Sequence, residues 1–265
     1  MLKKLSIAAT TLLLATSIST VHAESYRKAG QWYFAWGWNN ADYSESDIEF
    51  EGDDHNFTLK DVEAEDRQSD VEGGGWLDDF LNPGRISIPQ TNLRVGYFLT
   101  DNVSLSFVID HMKYVVVEDQ TVEIEGEIQG TTQSGTQVLT EDFLRYEHTD
   151  GLNYIALEGE YYRSFWQPVK GIDFSWVAGG GAGVLYPRTN VTLLDREKND
   201  EFHYSGYGYA LKAGVEISFL EDFFFRYMIK HGHINMPDVV TSSEGDKAAQ
   251  EFDFTEYLGV FGYRF

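Results

Sequence analysis

Alternation with a period of two is the feature that most restricts this chain. Between Gln31 and Asn39 the large apolar residues Trp32, Phe34, Trp36 and Trp38 alternate with Tyr33, Ala35, Gly37 and Asn39. In an extended chain successive side chains point to opposite faces, so one face becomes a continuous apolar strip and the other stays small or polar. A helix would scatter the same residues around its axis.

Seven further segments alternate in this way, at about 92–98, 103–114, 153–165, 172–185, 202–219, 223–230 and 254–265. In segment 172–185 the second row is Asp173, Ser175, Val177, Gly179, Gly181 and Gly183. It narrows to hydrogen and leaves room for bulky side chains from neighbouring strands. The run 179–183 lacks the Lys-Ser/Thr and the following helix of a phosphate-cradling loop.

Short connections at 99–102, 166–171 and 220–222 alternate with long ones at about 40–91, 115–152, 186–201 and 231–253. That sorting predicts an all-β fold, a transmembrane antiparallel up-and-down β-barrel with turns on one side and loops on the other. No stretch approaches the roughly 18 apolar residues of a spanning helix, whereas a spanning strand needs only about 9 to 11 residues. Alternation at 48–50, 57–62 and 122–128 predicts strands that continue beyond the membrane as a twisted collar. Counted as spanning they would make ten strands, but with acidic runs at membrane depth, so eight are preferred.

Lys3 and Lys4, the apolar run 5–18 and Val21-His22-Ala23 follow the order of a secretory signal peptide over 1–23. The expected remainder, 24–265, is one barrel domain of 242 residues. It has no cysteine, so an exported fold must hold by other means.

Charge follows the same division. The full chain has a formal charge of −23, and loss of the two leader lysines makes it −25. Residues 41–91 carry a net −12 and residues 115–152 a net −8. Such acidity repels nucleic acid and favours divalent cations or basic ligands.

Tyr257-Leu258-Gly259-Val260-Phe261-Gly262-Tyr263-Arg264-Phe265 closes the chain with an alternating aromatic strand. It resembles the C-terminal signal of small bacterial outer-membrane barrels. That resemblance covers essentially the whole chain after the leader. It implies outer-membrane localisation, periplasmic termini, extracellular loops, and recognition of Phe261, Tyr263 and Phe265 by the outer-membrane assembly machinery. Outer-membrane lipids and lipopolysaccharide are then the expected surroundings.

The inward rows contain Arg94, Asp110, Glu158, Glu160, Lys212, Glu216, Arg226, Lys230, Glu256 and Arg264. An eight-stranded barrel is filled by its own side chains, so these predict a salt-bridged polar plug in place of a wide channel. A narrow porin, or a carrier of small apolar ligands, is the alternative.

A second group lies where strands meet long connections: His111, His148, Thr149, Asp150, His231 and His233. A histidine with an acid and a hydroxyl can act as base, orienting acid and nucleophile in ester hydrolysis. Lys230-His231-Gly232-His233-Ile234-Asn235 resembles the His-x-Ser-Asn segment of outer-membrane lipid A deacylases, with Gly or Ile where the serine is expected. The resemblance implies a lipid A or phospholipid acyl hydrolase at the outer-leaflet rim.

The acidic connections offer a third candidate. Asp53, Asp54, Asp78 and Asp79, with Glu63, Glu65 and Asp66, can supply carboxylates to Ca²⁺ or another divalent cation. No twelve-residue calcium-loop pattern is present, and no cofactor is required by the sequence. The expected function is a non-enzymatic outer-membrane barrel with a structural or surface-interaction role.

Overall fold

The computed structural model describes residues 26–66 and 90–265. The leader segment 1–23 and the acids Asp78 and Asp79 lie outside the described residues. No described helix is long and apolar enough to cross a membrane.

Seventeen strands occur among the described residues. The first six are β1 (Trp32–Tyr43), β2 (Ser46–Gly52), β3 (His55–Val62), β4 (Ala64–Glu65), β5 (Thr91–Thr100) and β6 (Val103–Met112). Then come β7 (Val115–Val116), β8 (Thr121–Ile128), β9 (Thr131–Val138), β10 (Leu144–Glu147), β11 (Leu152–Val169) and β12 (Ile172–Leu185). The last five are β13 (Arg188–Leu193), β14 (Asn199–Phe202), β15 (Gly206–Phe219), β16 (Phe223–Val240) and β17 (Lys247–Arg264).

Eight of them form a ring of antiparallel ladders in chain order: β1, β5, β6, β11, β12, β15, β16 and β17. The β1–β17 ladder, from Tyr33 opposite Arg264 to Tyr43 opposite Phe254, joins the two ends. Trp32 and Phe265 exchange backbone hydrogen bonds beside it. At one end the ring strands are linked by short turns. Lys170-Gly171 is one, with Gly171 at φ 95°, and Leu220 and Glu221 take φ 50° and 68° in another.

The sheet is not a plain eight-strand cylinder. At the other end β17 runs past the ring and pairs with β2, followed by β3, β8 and β9. A separate five-stranded sheet, β14-β13-β10-β7-β4, packs over this extension. Between the two layers lies an apolar core of residues such as Ile48, Phe50, Phe57, Leu59, Ile124, Leu144, Tyr146, Val191, Leu193 and Phe252. Edge-on rings of Phe50 and Tyr146, 6.2 Å apart, tie one sheet to the other.

Among the described residues the long connections are therefore largely folded. The connection expected over 231–253 is reduced to 241–246, because β16 and β17 stay paired as far as Val240 and Lys247. The reason is burial: Ile234, Met236, Val239, Phe252 and Phe254 continue the inward row into the apolar core. Segments 115–152 and 186–201 likewise contribute β7 to β10, β13 and β14. Acidic residues cover the solvent side of these strands, and the apolar residues between them close the cap.

Within the ring the exposure pattern is inverted relative to a soluble protein. Trp32, Phe34, Leu105, Phe107, Leu157, Tyr161, Trp176, Leu211, Tyr227, Ile229 and Phe261 are exposed on the outer wall. The inner wall holds a smaller apolar cluster, with Tyr33, Phe98, Tyr162, Phe224, Met228 and Leu258, and it holds the charges.

Candidate functional site: a buried charge network

All ten interior residues singled out above are at most 5% exposed. Two more join them: Arg27, which lies before the first strand, and Asp173 on β12. Six carboxylates (Asp110, Glu158, Glu160, Asp173, Glu216 and Glu256) thus meet six bases (Arg27, Arg94, Lys212, Arg226, Lys230 and Arg264). The interior is charge-neutral although the chain is strongly acidic.

Glu160 is the hub. Its Oε1 accepts from Lys212 Nζ, from Arg94 Nη1 at 3.0 Å and from Arg226 Nη1 at 3.2 Å. Its Oε2 accepts from Tyr33 Oη at 2.5 Å, Tyr162 Oη at 2.6 Å and Ser104 Oγ at 2.8 Å. Those donors come from β1, β5, β6, β11, β15 and β16, so one carboxylate ties six ring strands together.

Two further nodes flank it. Toward the turn end Glu216 accepts from Arg27 Nη1 at 2.8 Å, Arg226 Nη2 at 2.8 Å and Arg264 Nη2. Arg27 Nη2 also donates to Ser175 Oγ at 2.8 Å. Toward the cap Lys230 Nζ pairs with Asp110, with Glu256 at 3.2 Å and with Glu158 at 3.3 Å. Lys230 sits over the Tyr154 ring at 4.8 Å, where the polar network meets the apolar core of the cap.

The glycine row makes space for this. A Cβ at Gly179 would meet the Gly159 carbonyl and the Glu160 Cα, and one at Gly181 would meet the Leu157 carbonyl and Glu158. Hydrogen at these positions lets β12 approach the strand bearing both glutamates. The network's chemistry is mutual neutralisation: Glu158, Glu160 and Glu216 each face three bases, whereas Asp110 and Glu256 share Lys230, so every buried charge has an opposite partner, which is the condition for tolerating burial at all.

Alternation could find the ten strand residues, since each lies on an inward row. It could not place Arg27, which belongs to no strand. The available signal was a basic pair, Arg27-Lys28, between the expected leader and the first alternating segment, with nothing to say which of the two turns inward. Tyr33, Tyr162 and Ser104 were inward by parity, but nothing in sequence pointed them at one carboxylate.

The histidine group is not gathered into one site. His111 shares the outer parity of Leu105 and Phe107, and its Nδ1 lies 2.9 Å from Asn153 Oδ1. His231 and His233 lie on the outer wall of β16, which the ring order sets opposite β6. His231 Nδ1 is 3.0 Å from Thr255 Oγ1, whereas His233 Nδ1 is 2.9 Å from Asp253 Oδ1. The hydroxyl and the carboxylate are held by different imidazoles, so among the described residues neither histidine joins both.

His148 is buried in the cap, its Nδ1 3.0 Å from Thr189 Oγ1. Burial pushes its imidazole down to about 3, which keeps it neutral. The half-buried Thr149 follows it, and Asp150 pairs with Arg188 at 2.9 Å. Sequence proximity thus misled: strand parity and the β10–β11 turn send these side chains in different directions.

Among the acids proposed for a cation, Asp54 is engaged by Arg196 and by His55 Nδ1 at 3.1 Å. Arg196 and His55 hold its carboxyl below the usual carboxylate range. Asp53 is exposed beside it. Asp66 accepts from the Ala41 amide at 2.6 Å and from Asn40 and Gln90. Among the described residues no three His, Cys, Asp or Glu side chains are grouped to hold a metal ion.

No protein-family model matches the chain, and no curated protein matches it. Among solved structures it is similar to the outer membrane protein OprG from Pseudomonas aeruginosa, at 16% identity and a TM-score of 0.42, over 90% of this chain and 97% of that one. The N-terminal β-barrel domain of Pseudomonas aeruginosa OprF gives 13% identity and a TM-score of 0.35, over 90% and 99%. The attachment invasion locus protein Ail of Yersinia pestis, in complex with the heparin analogue sucrose octasulfate, gives 10% and 0.33, over 89% and 99%.

Proposed function

We propose that the chain is a non-enzymatic, non-conducting barrel of a bacterial outer membrane that stabilises the membrane and presents a folded acidic cap outside the cell. The observation that carries this reading is the inverted exposure of the ring. Large apolar side chains cover its outer wall, and a neutral set of twelve charges is sealed within. Water would penalise the outer wall, whereas hydrocarbon would favour it, and a closed ladder leaves no unpaired backbone to face lipid.

In this reading the short turns and both chain ends face the periplasm. The aromatic pairs Phe165–Trp176 and Trp166–Phe174, at 4.6 and 4.8 Å, mark the inner interface. Phe261 and Tyr263, exposed on the outer wall of β17, and Phe265, exposed just beyond its end, are presented for the assembly machinery and afterwards to lipid. The cap faces lipopolysaccharide and the medium.

Reconstitution into vesicles of brominated phospholipid tests the placement. Trp32, Trp36, Trp38 and Trp176 all lie on the outer wall, so strong quenching of tryptophan fluorescence is expected. Unquenched emission would refute a lipid-facing wall. Planar-bilayer recording tests the plug: stable conductance steps from the purified protein would refute it.

A further inference from the structure

The twelve-stranded sheet has one open side among the described residues. Every ring strand has two neighbours, and the extension runs β2, β3, β8 and ends at β9, which pairs only with β8. Free sheet edges in native proteins are normally blunted by charge, proline or shortness. β9 has none of these: Thr131-Thr132-Gln133-Ser134-Gly135-Thr136-Gln137-Val138 is eight residues long, uncharged and without proline.

The turn fixes which backbone groups are free. Gln129 and Gly130 take φ 50° and 73°, a two-residue hairpin turn that makes Ile128 and Thr131 a hydrogen-bonded pair. The N–H and C=O groups of 131, 133, 135 and 137 then turn to β8, and those of Thr132, Ser134 and Thr136 turn to the open side.

Charge lies one strand back. Glu127, Glu125 and Glu123 stand opposite Thr132, Ser134 and Thr136, on the same face and all exposed. The opposite face of β8 is spent on the cap core through Val122 and Ile124. A strand added beside β9 would sit about 10 Å, two strand spacings, from β8. Thr and Ser are short, so a Lys or Arg on the added strand can reach across them to a glutamate. Glutamates repeat at every second residue, and the matching cations must do the same.

We propose that β9 docks an extended basic polypeptide segment, which joins the sheet as a further strand with Lys or Arg at alternate positions over the Glu123, Glu125 and Glu127 row. A second copy of the chain fits less well, because it would bring its own acidic row and a formal charge of −23 to the same edge. The inference rests on the proposed function only for the exposure of the cap to the outside.

The test uses the purified full chain in zwitterionic micelles and three acetylated octapeptides. One alternates Lys and Thr, one has the same four Lys in a block, and one is the alternating peptide N-methylated at every second residue. The alternating peptide is expected to bind at least tenfold more tightly than either control and to protect the Thr132, Ser134 and Thr136 amides from hydrogen exchange. The triple variant E123Q/E125Q/E127Q is expected to weaken binding about tenfold, the product of three exposed ion pairs. Ser134→Pro, which removes only an outward N–H, is expected to weaken it while β8–β9 protection persists.

Equal binding of the three peptides would overturn the proposal in favour of diffuse charge attraction. So would failure of the alternating peptide to bind, or protection of those amides in the protein alone, which would mean that the edge is already covered. Labelling of a Thr132→Cys variant on intact cells tests exposure separately. If labelling fails while peptide binding holds, the outside placement is refuted and the docking edge stands.

Discussion

Glu160→Gln is the sharpest probe of the network. The change keeps the shape of the side chain but removes the charge that faces Arg94, Lys212 and Arg226. It also places an amide donor among six donors. Breaking one member of a buried ion pair typically costs about 3 to 5 kcal/mol. Here Arg94 and Lys212 keep Glu158, and Arg226 keeps Glu216, so the lower end, about 3 kcal/mol, is expected. The assay is equilibrium urea unfolding in phospholipid vesicles, followed by tryptophan emission, with Glu45→Gln at an exposed position as the control. Removing a base at the same time should relieve part of the loss. E160Q/K212M is therefore expected to be less destabilised than the two single variants added together, with a coupling of about 2 kcal/mol. A Glu160→Gln protein within about 0.5 kcal/mol of the parent, or strict additivity in the double variant, would refute the hub.

Other consequences can be measured in the same way. Arg27→Ala is expected to cost about 2 kcal/mol, the worth of a charge-assisted hydrogen bond, because Glu216 retains Arg226 and Arg264; an unchanged urea midpoint would mean that the segment before β1 does not seal the turn end. The depressed His148 imidazole, held at about 3 by burial, makes stability fall as the pH drops. Below about 6.5 the unfolded chain takes up a proton that the native cap refuses. Between pH 7 and pH 5 the parent is expected to lose about 2 kcal/mol relative to His148→Gln, and parallel pH profiles would rule this out. Gly96→Ala would drive a methyl into the Tyr33 ring, itself fixed on Glu160, and is expected to cost about 1 to 3 kcal/mol. Gly159→Ala, which opens onto free space, should stay within about 0.5 kcal/mol; equal effects of the two would remove steric crowding as the cause.

Much of this architecture is local in origin. The alternation of Trp32, Phe34, Trp36 and Trp38 with small or polar residues fixes both an extended backbone and the face each side chain takes, because the side-chain period of a strand is two. The same parity placed Arg94, Glu158, Glu160, Lys212 and Arg226 inside, and the short turns set the order of the ring. Parity alone could also have warned that His111, His231 and His233 share the outward rows.

Tertiary structure decided what parity cannot express. Five other strands bring five of the six donors to Glu160, and that convergence depends on register and ring closure, not on any local pattern. Arg27 enters the network from outside the strands. Alternation at 48–50, 57–62 and 122–128 already predicted strands in the acidic connections, but only the structure shows that Ile48, Phe57, Ile124 and Val191 bury one another across two sheets, since the second sheet is assembled from segments distant in the chain. Short-range order fixes the face a side chain takes, whereas its partners on other strands are fixed only when the chain closes on itself.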